Sequence, residues 1–243
     1  QTPALLELLK TPYTGSRVLA NAISRDKTLT KRIWRDRNLP VAPFQEFTFG
    51  DEPLRPELEK HFPLFVKPAR EGTGMGVDRR AIVNNPAELR ERANYIIRTY
   101  HQPALVEIFL PGREFAVSLW GRSEPEYVSI GETLFHGDVR LNTYEGKWDT
   151  ECGDYRDTPL VYDLDIGEEL RRQVVSAARQ SWRLTGIRGY ARIDVRLNAV
   201  GTPCVLDVNP NPALNPGAGV HRAAEEVGWS WEQFVLRQLE WAF

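Results

Sequence analysis

Residues 189–212 of the chain read GYARIDVRLNAVGTPCVLDVNPNP and predict a β-hairpin. Two short apolar runs stand on either side of a glycine-bearing turn, which is the pattern of two antiparallel strands. Side chains two positions apart on a strand point to the same face. Arg192 and Asp194 therefore project together from the first strand. Asp207 and Asn209 project together from the second, and the four polar side chains share one surface.

The oxygen atoms of these side chains suit Mg²⁺, which prefers octahedral oxygen coordination completed by waters and phosphates. An ordinary solvated hairpin face explains the same residues equally well. The hairpin alone therefore leaves a metal site and a plain charged surface open, and the choice depends on the sequence upstream.

Composition excludes several classes of protein. The 243 residues suffice for one large domain or two lobes, and 31 basic residues nearly cancel 33 acidic ones. No overall field recruits nucleic acid or an acidic membrane. Two cysteines outside any CxxC pattern indicate incidental thiols. Without an apolar run of about 18 residues or a signal-peptide pattern, we expect a soluble, cytoplasmic protein. The chain begins on Gln1 rather than Met, which is compatible with further sequence upstream.

A glycine-rich loop follows a short apolar strand in the first half of the chain. The strand, 61–68, contains Lys67, and the loop, 71–76, reads EGTGMG. A dinucleotide-binding motif would continue into a helix, whereas residues 77–83 predict another strand. The loop is either a flap whose bare amides cover phosphates or an ordinary turn.

A basic helix is predicted over 24–38, with Ser24 as its N-cap. Lys27 and Lys31 are four residues apart and share a face of this helix. A solvated basic surface explains some of these charges.

A lone acid, Glu107, interrupts the apolar strand 104–110. A buried carboxylate is costly without partners, so it is either a hydrogen-bond acceptor for a ligand or an edge residue facing water. Downstream, Asp165 and Glu168 form a capping-box pattern for a helix that Gly186 closes. The long polar segment 136–160 is predicted to be either a functional loop or a disordered one.

In this order the motifs resemble the ATP-grasp superfamily and, within it, the D-alanine–D-alanine ligase-like group. Six ordered stretches over nearly the whole chain are far more specific than any one of them. The matching residues are Asp26-Lys27 with Lys31, Val66-Lys67-Pro68 with Glu71-Gly72-Thr73 and Gly76-Val77, Glu107 with Leu110 and Gly112-Arg113-Glu114, Tyr144 with Lys147-Trp148, Arg192-Ile193-Asp194, and Asp207-Val208-Asn209.

The resemblance implies an α+β, ATP-grasp fold, in which two lobes with mainly antiparallel sheets flanked by helices hold ATP between them. The implied divisions are a connecting tail at 1–23, an N-terminal lobe at 24–110 with its flap at 71–76, and a C-terminal lobe at 111–243 with a mobile loop at 136–160 and the metal-site hairpin at 189–212.

The resemblance also implies roles for individual residues. Glu107 would accept from the adenine amino group, and Glu114 would bind the ribose hydroxyls. Lys147 would close on the γ-phosphate, and Arg192 would face the reacting carboxylate; these two are the implied catalytic residues. The implied ATP-binding residues are Lys27, Lys67, Glu71, Gly72, Thr73, Gly76, Glu107, Ile108, Phe109, Leu110 and Glu114. The implied ligands of Mg²⁺, with Mn²⁺ as an alternative ion, are Asp194, Asp207 and Asn209.

The implied reaction is ATP-dependent, ADP-forming ligation of a carboxylate to an amine through an acylphosphate, with an amino acid or peptide as substrate. Small-molecule carboxylates and amines are the implied partners, without nucleic acid or membrane, and a homodimer is compatible with the sequence. An ATP-binding non-catalytic or regulatory module, or a catalytic fragment that needs a missing substrate domain, stays open.

The sequence departs from the ligase pattern at the metal site, in the flap and at the front of the chain. Asp207 stands where the ligases usually carry Glu, and Gly74 replaces a serine typical of the flap. The N-terminal domain of the family has no counterpart in this sequence. After the hairpin, His221 or Asn215 lines the acceptor pocket or belongs to the surface.

Overall fold

The computed structural model describes residues 1–136, 140, 141, 143, 156–162 and 164–242. These residues form two antiparallel sheets flanked by helices, which confirms the predicted α+β class. None of the helices in these ranges is both long and apolar enough to cross a bilayer.

The first sheet has four strands, in the spatial order Phe44–Phe47, Ala104–Ile108, Leu64–Pro68 and Ile82–Val83. Leu89, Ala93 and Ile96 recur at helical spacing and bury one face of the helix Pro86–Tyr100 against this sheet. The elements up to this point are α1 (Thr2–Leu8), α2 (Val18–Arg25), α3 (Lys27–Asp36), β1 (Phe44–Phe47), α4 (Pro56–Glu59), β2 (Leu64–Pro68), a 3₁₀ turn (Arg79–Ala81), β3 (Ile82–Val83), α5 (Pro86–Tyr100) and β4 (Ala104–Ile108).

The second sheet has five strands, in the spatial order Leu160–Val161, Tyr127–Thr133, Glu114–Gly121, Gly189–Leu197 and Pro203–Asn209. Ala191, Ile193 and Val195 are fully buried in its core, and the polar residues between them lie on the opposite face, as the alternation of the hairpin predicts. The remaining elements are β5 (Glu114–Gly121), β6 (Tyr127–Thr133), β7 (Leu160–Val161), α6 (Glu168–Thr185), β8 (Gly189–Leu197), β9 (Pro203–Asn209), α7 (Gly219–Glu226) and α8 (Trp231–Glu240).

Helices α2 and α3 precede the first sheet in the chain but pack on the second. Ala20, Trp34 and Leu39 belong to the same buried cluster as Trp182 of α6 and Val208 of β9. The apolar face of α3 is therefore fixed on the second sheet. Lys27 and Lys31 lie on the same side of α3 as Trp34. Lys31 reaches Glu107 of the first sheet and Lys27 reaches Asp207 of the second, and this placement builds the site described below.

Two predicted helix starts are wrong. Ser24 lies inside α2, where its hydroxyl donates to the Ala20 carbonyl at 2.7 Å. Asp26 is the cap of the following helix instead. The pattern at Asp165 and Glu168 is no capping box, because α6 begins at Glu168 itself and its N-cap is Gly167. The predicted closure at Gly186 is confirmed, with a φ of +69°.

The strand predicted over 77–83 is reduced to two residues, Ile82 and Val83. Asp78 accepts a hydrogen bond from the Arg80 N–H at 2.8 Å, which bends the backbone into a 3₁₀ turn before pairing with β2 begins. A short polar side chain at the start of the segment thus competes with the sheet for the backbone amides.

Candidate functional site

A pocket of about 820 Å³, its open mouth included, lies between the two sheets. Its wall combines β2, β4, the glycine-rich loop, the start of β5 and the hairpin of β8 and β9, so it collects residues far apart in the chain. The predicted site residues in this wall are Lys27, Lys67, Glu71, Gly72, Glu107, Ile108, Phe109, Leu110, Glu114, Asp194 and Asp207.

Other predicted residues adjoin the described wall without forming it. Thr73 and Gly76 lie in the glycine-rich loop, between or beside residues that do line the pocket. Arg192 and Asn209 are register partners across the hairpin. Lys147 lies outside the described residues, so its role stays a prediction.

Helix α3 directs Lys27 to the hairpin. Asp26 accepts from the Leu29 N–H at 2.9 Å and fixes the start of the helix. The Nζ of Lys27 lies 2.6 Å from Oδ2 of Asp207. Burial raises the pKa of Asp207, but the ammonium groups of Lys27 and Lys67 outweigh burial, and the pKa lies below its ordinary value. Asp207 is therefore an anion in the folded protein.

Three buried charges meet at the floor of the pocket. Glu107 is 2% exposed, its Oε1 lies 2.6 Å from the Nζ of Lys67, and its Oε2 lies 2.9 Å from the Nζ of Lys31. Burial raises the pKa of Glu107, but the two ammonium groups outweigh burial and lower it to about 2. An edge carboxylate facing water is thereby excluded, and the acid has its partners within the protein.

Acid should remove the stability that the Glu107 carboxylate provides. Its folded pKa of about 2 lies below the ordinary value of 4.5, so the contribution is complete above pH 4.5 and is lost as pH falls towards 2. The shift corresponds to about 3 kcal/mol. Urea unfolding should show wild type and Glu107→Gln differing most at neutral pH and converging in acid. A difference that does not change with pH would contradict the assignment.

The two acids of the hairpin face each other across its strands. Asp194 of β8 is the register partner of Asp207 of β9, and a bulge follows directly. Arg192 donates from Nε and Nη2 to the two carboxylate oxygens of Asp194, at 2.7 and 2.9 Å. Asp194 raises the pKa of Arg192. The bidentate pair fixes the direction of the guanidinium beside the pocket.

The oxygen donors of the hairpin suit a hard cation. Asp194 and Asp207 both line the pocket, and Mg²⁺ binds through one or two carboxylates together with phosphates and water. The Oδ1 of Asn209 accepts from the Asn211 N–H at 3.0 Å, so this oxygen is engaged in the turn. Among the described residues, no three acidic, histidine or cysteine side chains converge. Asp194 and Asp207 are the described hairpin carboxylates available to such a site.

Arg196 is a pocket residue that sequence reasoning misses. Its Nη1 lies 3.1 Å from Oε2 of Glu114, and its guanidinium carbon lies 5.0 Å from the centroid of the Phe109 ring. The side chain is 4% exposed. Arg192, Asp194 and Arg196 occupy alternate positions of β8, so continuing the alternation by one step would have found it.

The glycine-rich loop is a series of turns with backbone in the left-handed region. Thr73, Gly74 and Gly76 have φ values of +60°, +86° and +73°. The Gly76 carbonyl accepts a hydrogen bond from Nη2 of Arg92 at 2.8 Å, and Arg92 is 4% exposed. The loop is therefore fastened to α5 at its end, and its earlier residues edge the pocket.

Gly76→Ala should destabilise the protein and distort this loop. A Cβ at position 76 would lie 2.6 Å from Cγ of Pro68, on backbone with a φ of +73°. We expect a loss of about 1–3 kcal/mol in the free energy of unfolding. Gly201→Ala is the matched control, because Gly201 has a φ of +84° but nothing within 4 Å. Equal losses in chemical denaturation of the two variants would show that the contact with Pro68 is unimportant.

The two polar residues considered for the acceptor side have local partners. Nδ1 of His221 accepts from the Gly217 N–H at 2.9 Å, and its ring lies 5.1 Å from that of Trp231 in an edge-on arrangement. Asn215 is exposed and donates to the Pro216 carbonyl. Neither belongs to the described wall of the pocket, and both stabilise the segment that follows the hairpin.

Comparison with solved structures shows the same fold. The chain is similar to D-alanine–D-alanine ligase from Bacillus anthracis complexed with ATP, with a TM-score of 0.80 and 22% identity over 100% of this chain and 74% of that one. It is equally similar to the D-alanine–D-alanine ligase of Coxiella burnetii, with a TM-score of 0.80 and 21% identity over 99% of this chain and 63% of that one.

Sequence comparison adds relatives at higher identity. A D-alanine–D-alanine ligase of Cupriavidus taiwanensis is 32% identical over 97% of this chain and 69% of the relative. An uncharacterised protein of Sinorhizobium fredii is 32% identical over 96% of this chain and 67% of the relative. The family model described as D-ala D-ala ligase C-terminus matches residues 33–240. The chain therefore belongs to the D-alanine–D-alanine ligase C-terminal family, within the ATP-grasp ligases.

Proposed function

We propose that this chain is the ATP-binding and catalytic part of an ADP-forming carboxylate–amine ligase. The observation that carries the proposal is the pocket between the two sheets, where Lys27 and Lys67 face the hairpin carboxylates beneath a glycine-rich loop. The names of the ligase relatives support the same class of reaction, amide formation driven by ATP. Division into lobes at 24–110 and 111–243 is part of the proposal.

The pocket offers apolar, cationic and acceptor groups that suit the parts of a nucleotide. Phe65, Ile108 and Leu206 give an apolar wall for the base. Lys27 and Lys67 present compact ammonium charges to the phosphates, and unsubstituted amides of the loop can approach them closely. Glu114 offers acceptor oxygens to the ribose diol, with Arg196 holding one of them.

Glu107 receives a different role from the one that the resemblance implies. Both of its oxygens are held by ammonium groups, and the residue is 2% exposed. We therefore assign it to holding Lys67 in place, and we assign recognition of the adenine edge to the backbone of 108–110.

A bound Mg²⁺ would be held by Asp194 and Asp207, and it would neutralise phosphate charge during phosphoryl transfer. The protein's own residues prepare this position. Lys27 keeps Asp207 ionised, and Arg192 orients Asp194 through two hydrogen bonds. Asn209 remains a further proposed ligand, which would have to release the Asn211 amide.

The chain's side chains can align and stabilise the two steps of ligation. In the first, a carboxylate oxygen attacks the γ-phosphorus, the bond to the β-phosphate oxygen breaks, and ADP leaves. In the second, an amine attacks the acyl carbon, loses a proton and expels phosphate. Positioning and charge neutralisation supply most of the first step. Arg192 would stabilise the oxyanion that forms in the second.

Substrate class is the less constrained half of the proposal. The relatives are named for D-alanine, but Asp207 and Gly74 depart from the ligase pattern and His221 is engaged in local structure. We propose an amino acid or peptide carboxylate other than D-alanine, with a small-molecule amine as acceptor.

The test is ADP release from Mg-ATP by the purified protein, with and without pools of amino acids and short peptides. Release that depends on one pool, and that is lost in Lys67→Met but kept in the exposed-site control Lys60→Met, supports the ligase. ATP binding without stimulated release from any pool would favour a non-catalytic nucleotide module. Failure to bind ATP would overturn the proposal.

A further inference from the structure

We infer that Lys31 is a positioning residue that sets how strongly Lys67 holds the nucleotide phosphates, acting through Glu107. The inference rests on the proposed function, since a phosphate contact at Lys67 is part of it. Lys31 does not belong to the described wall of the pocket, so the effect passes through the protein.

The geometry gives Lys31 one polar partner of opposite charge at close range. It is 1% exposed on α3, and its Nζ lies 2.9 Å from one oxygen of Glu107. The other oxygen of that carboxylate lies 2.6 Å from Lys67, which is itself 8% exposed and lines the pocket. The carboxylate therefore stands between a lysine that can reach a ligand and one that cannot.

Charge balance explains the effect of Lys31. With Lys31 present, two positive charges share one negative charge, and the group of three keeps a net charge of +1 to offer to a phosphate. Without it, Glu107 and Lys67 form a neutral pair, and the full carboxylate charge competes with the phosphate for the ammonium group. In a buried site of low dielectric such competition is strong.

Stability alone gives little reason for a charge at position 31. Burial lowers the pKa of Lys31, with Glu107 opposing that effect, so folding places this ammonium in an unfavourable environment. An apolar side chain of similar volume often replaces a buried ion pair without loss of stability. A charge retained there is better explained by its influence on the neighbouring pair.

A double-mutant cycle with calorimetric binding of Mg-ATP and of adenosine tests the inference. Lys31→Met should weaken Mg-ATP binding roughly 10- to 100-fold, the size of one charged hydrogen bond. Adenosine affinity should stay within about 2-fold, because adenosine has no phosphate to be held. Lys31→Arg should keep most of the Mg-ATP affinity, since it keeps the charge. Lys60→Met removes an exposed charge and should bind both ligands as wild type does.

The second arm removes the carboxylate charge. Once Glu107→Gln is present, adding Lys31→Met should change Mg-ATP affinity by less than about 2-fold, because the competing anion has gone. Parallel loss of Mg-ATP and adenosine binding in Lys31→Met, unchanged Mg-ATP binding, or an equally large loss in the Glu107→Gln background would overturn the inference. If Lys31→Met does not fold by itself, the comparison of Glu107→Gln with the double variant Glu107→Gln/Lys31→Met decides the inference. Wild type that binds no Mg-ATP would instead remove the proposed function, and this inference with it.

Discussion

Arg192→Ala should lower ligase turnover by about 10²–10³-fold while leaving the affinity for ATP nearly unchanged. Arg192 lies beside the pocket, and its fork is fixed by two hydrogen bonds to Asp194, at 2.7 and 2.9 Å. A donor held in this way stabilises charge that develops in the reaction without having to reorganise. In the proposed function ATP is held chiefly by the lysines and the apolar wall, which this substitution leaves in place.

Two variants make the Arg192 experiment specific. Arg192→Lys keeps the charge but loses the bidentate fork, so we expect an intermediate turnover. Arg183→Ala removes an arginine whose ion pair with Glu124 is exposed, and it should have wild-type turnover. Steady-state ADP release and separate ATP-binding measurements decide the question. Unchanged turnover in Arg192→Ala would remove this residue from the mechanism.

Trp34→Ala should cost about 3–5 kcal/mol in the free energy of unfolding. Trp34 is 1% exposed and joins α3 to the core of the second sheet. Its loss leaves a cavity beneath the helix that carries Lys27 and Lys31. ATP affinity should therefore fall together with stability, although Trp34 does not belong to the described wall of the pocket.

Trp34→Phe is the matched control for that experiment. It keeps most of the aromatic volume, and it removes a ring nitrogen that is buried without a hydrogen-bond partner. We expect it to cost less than about 1.5 kcal/mol. Urea denaturation and ATP titration of both variants give the two quantities. A Trp34→Ala protein with wild-type stability would show that α3 is held to the second sheet by other contacts.

The hairpin shows what a sequence pattern can predict. Alternation alone placed Arg192, Asp194 and Asp207 on one face, and the strand register confirms the opposed aspartates. Such patterns depend on neighbours in the chain, so they are visible without knowledge of the fold. Arg196 follows from the same alternation, one step further along β8.

The packing of α3 shows what the pattern cannot predict. Helical spacing correctly places Lys27 and Lys31 on one face. It does not reveal that Trp34 packs on a sheet whose first strand along the chain, β5, begins only at Glu114. The two lysine partners of Glu107 depend on that long-range packing, so the local sequence could not predict them.

The attachment of α3 to both sheets has a consequence for how the pocket can open. The helix is seated on the second sheet, yet the Lys27 N–H donates to the Ala69 carbonyl at 2.9 Å, just beyond β2 of the first. Together with the buried ion pair of Lys31 and Glu107, this hydrogen bond makes α3 a rigid connection between the two sheets. We expect nucleotide exchange to be gated by the glycine-rich loop, with the sheets keeping their spacing. Distances between spectroscopic labels on the two sheets should then be equal with and without ATP. A large change in these distances would contradict a rigid connection.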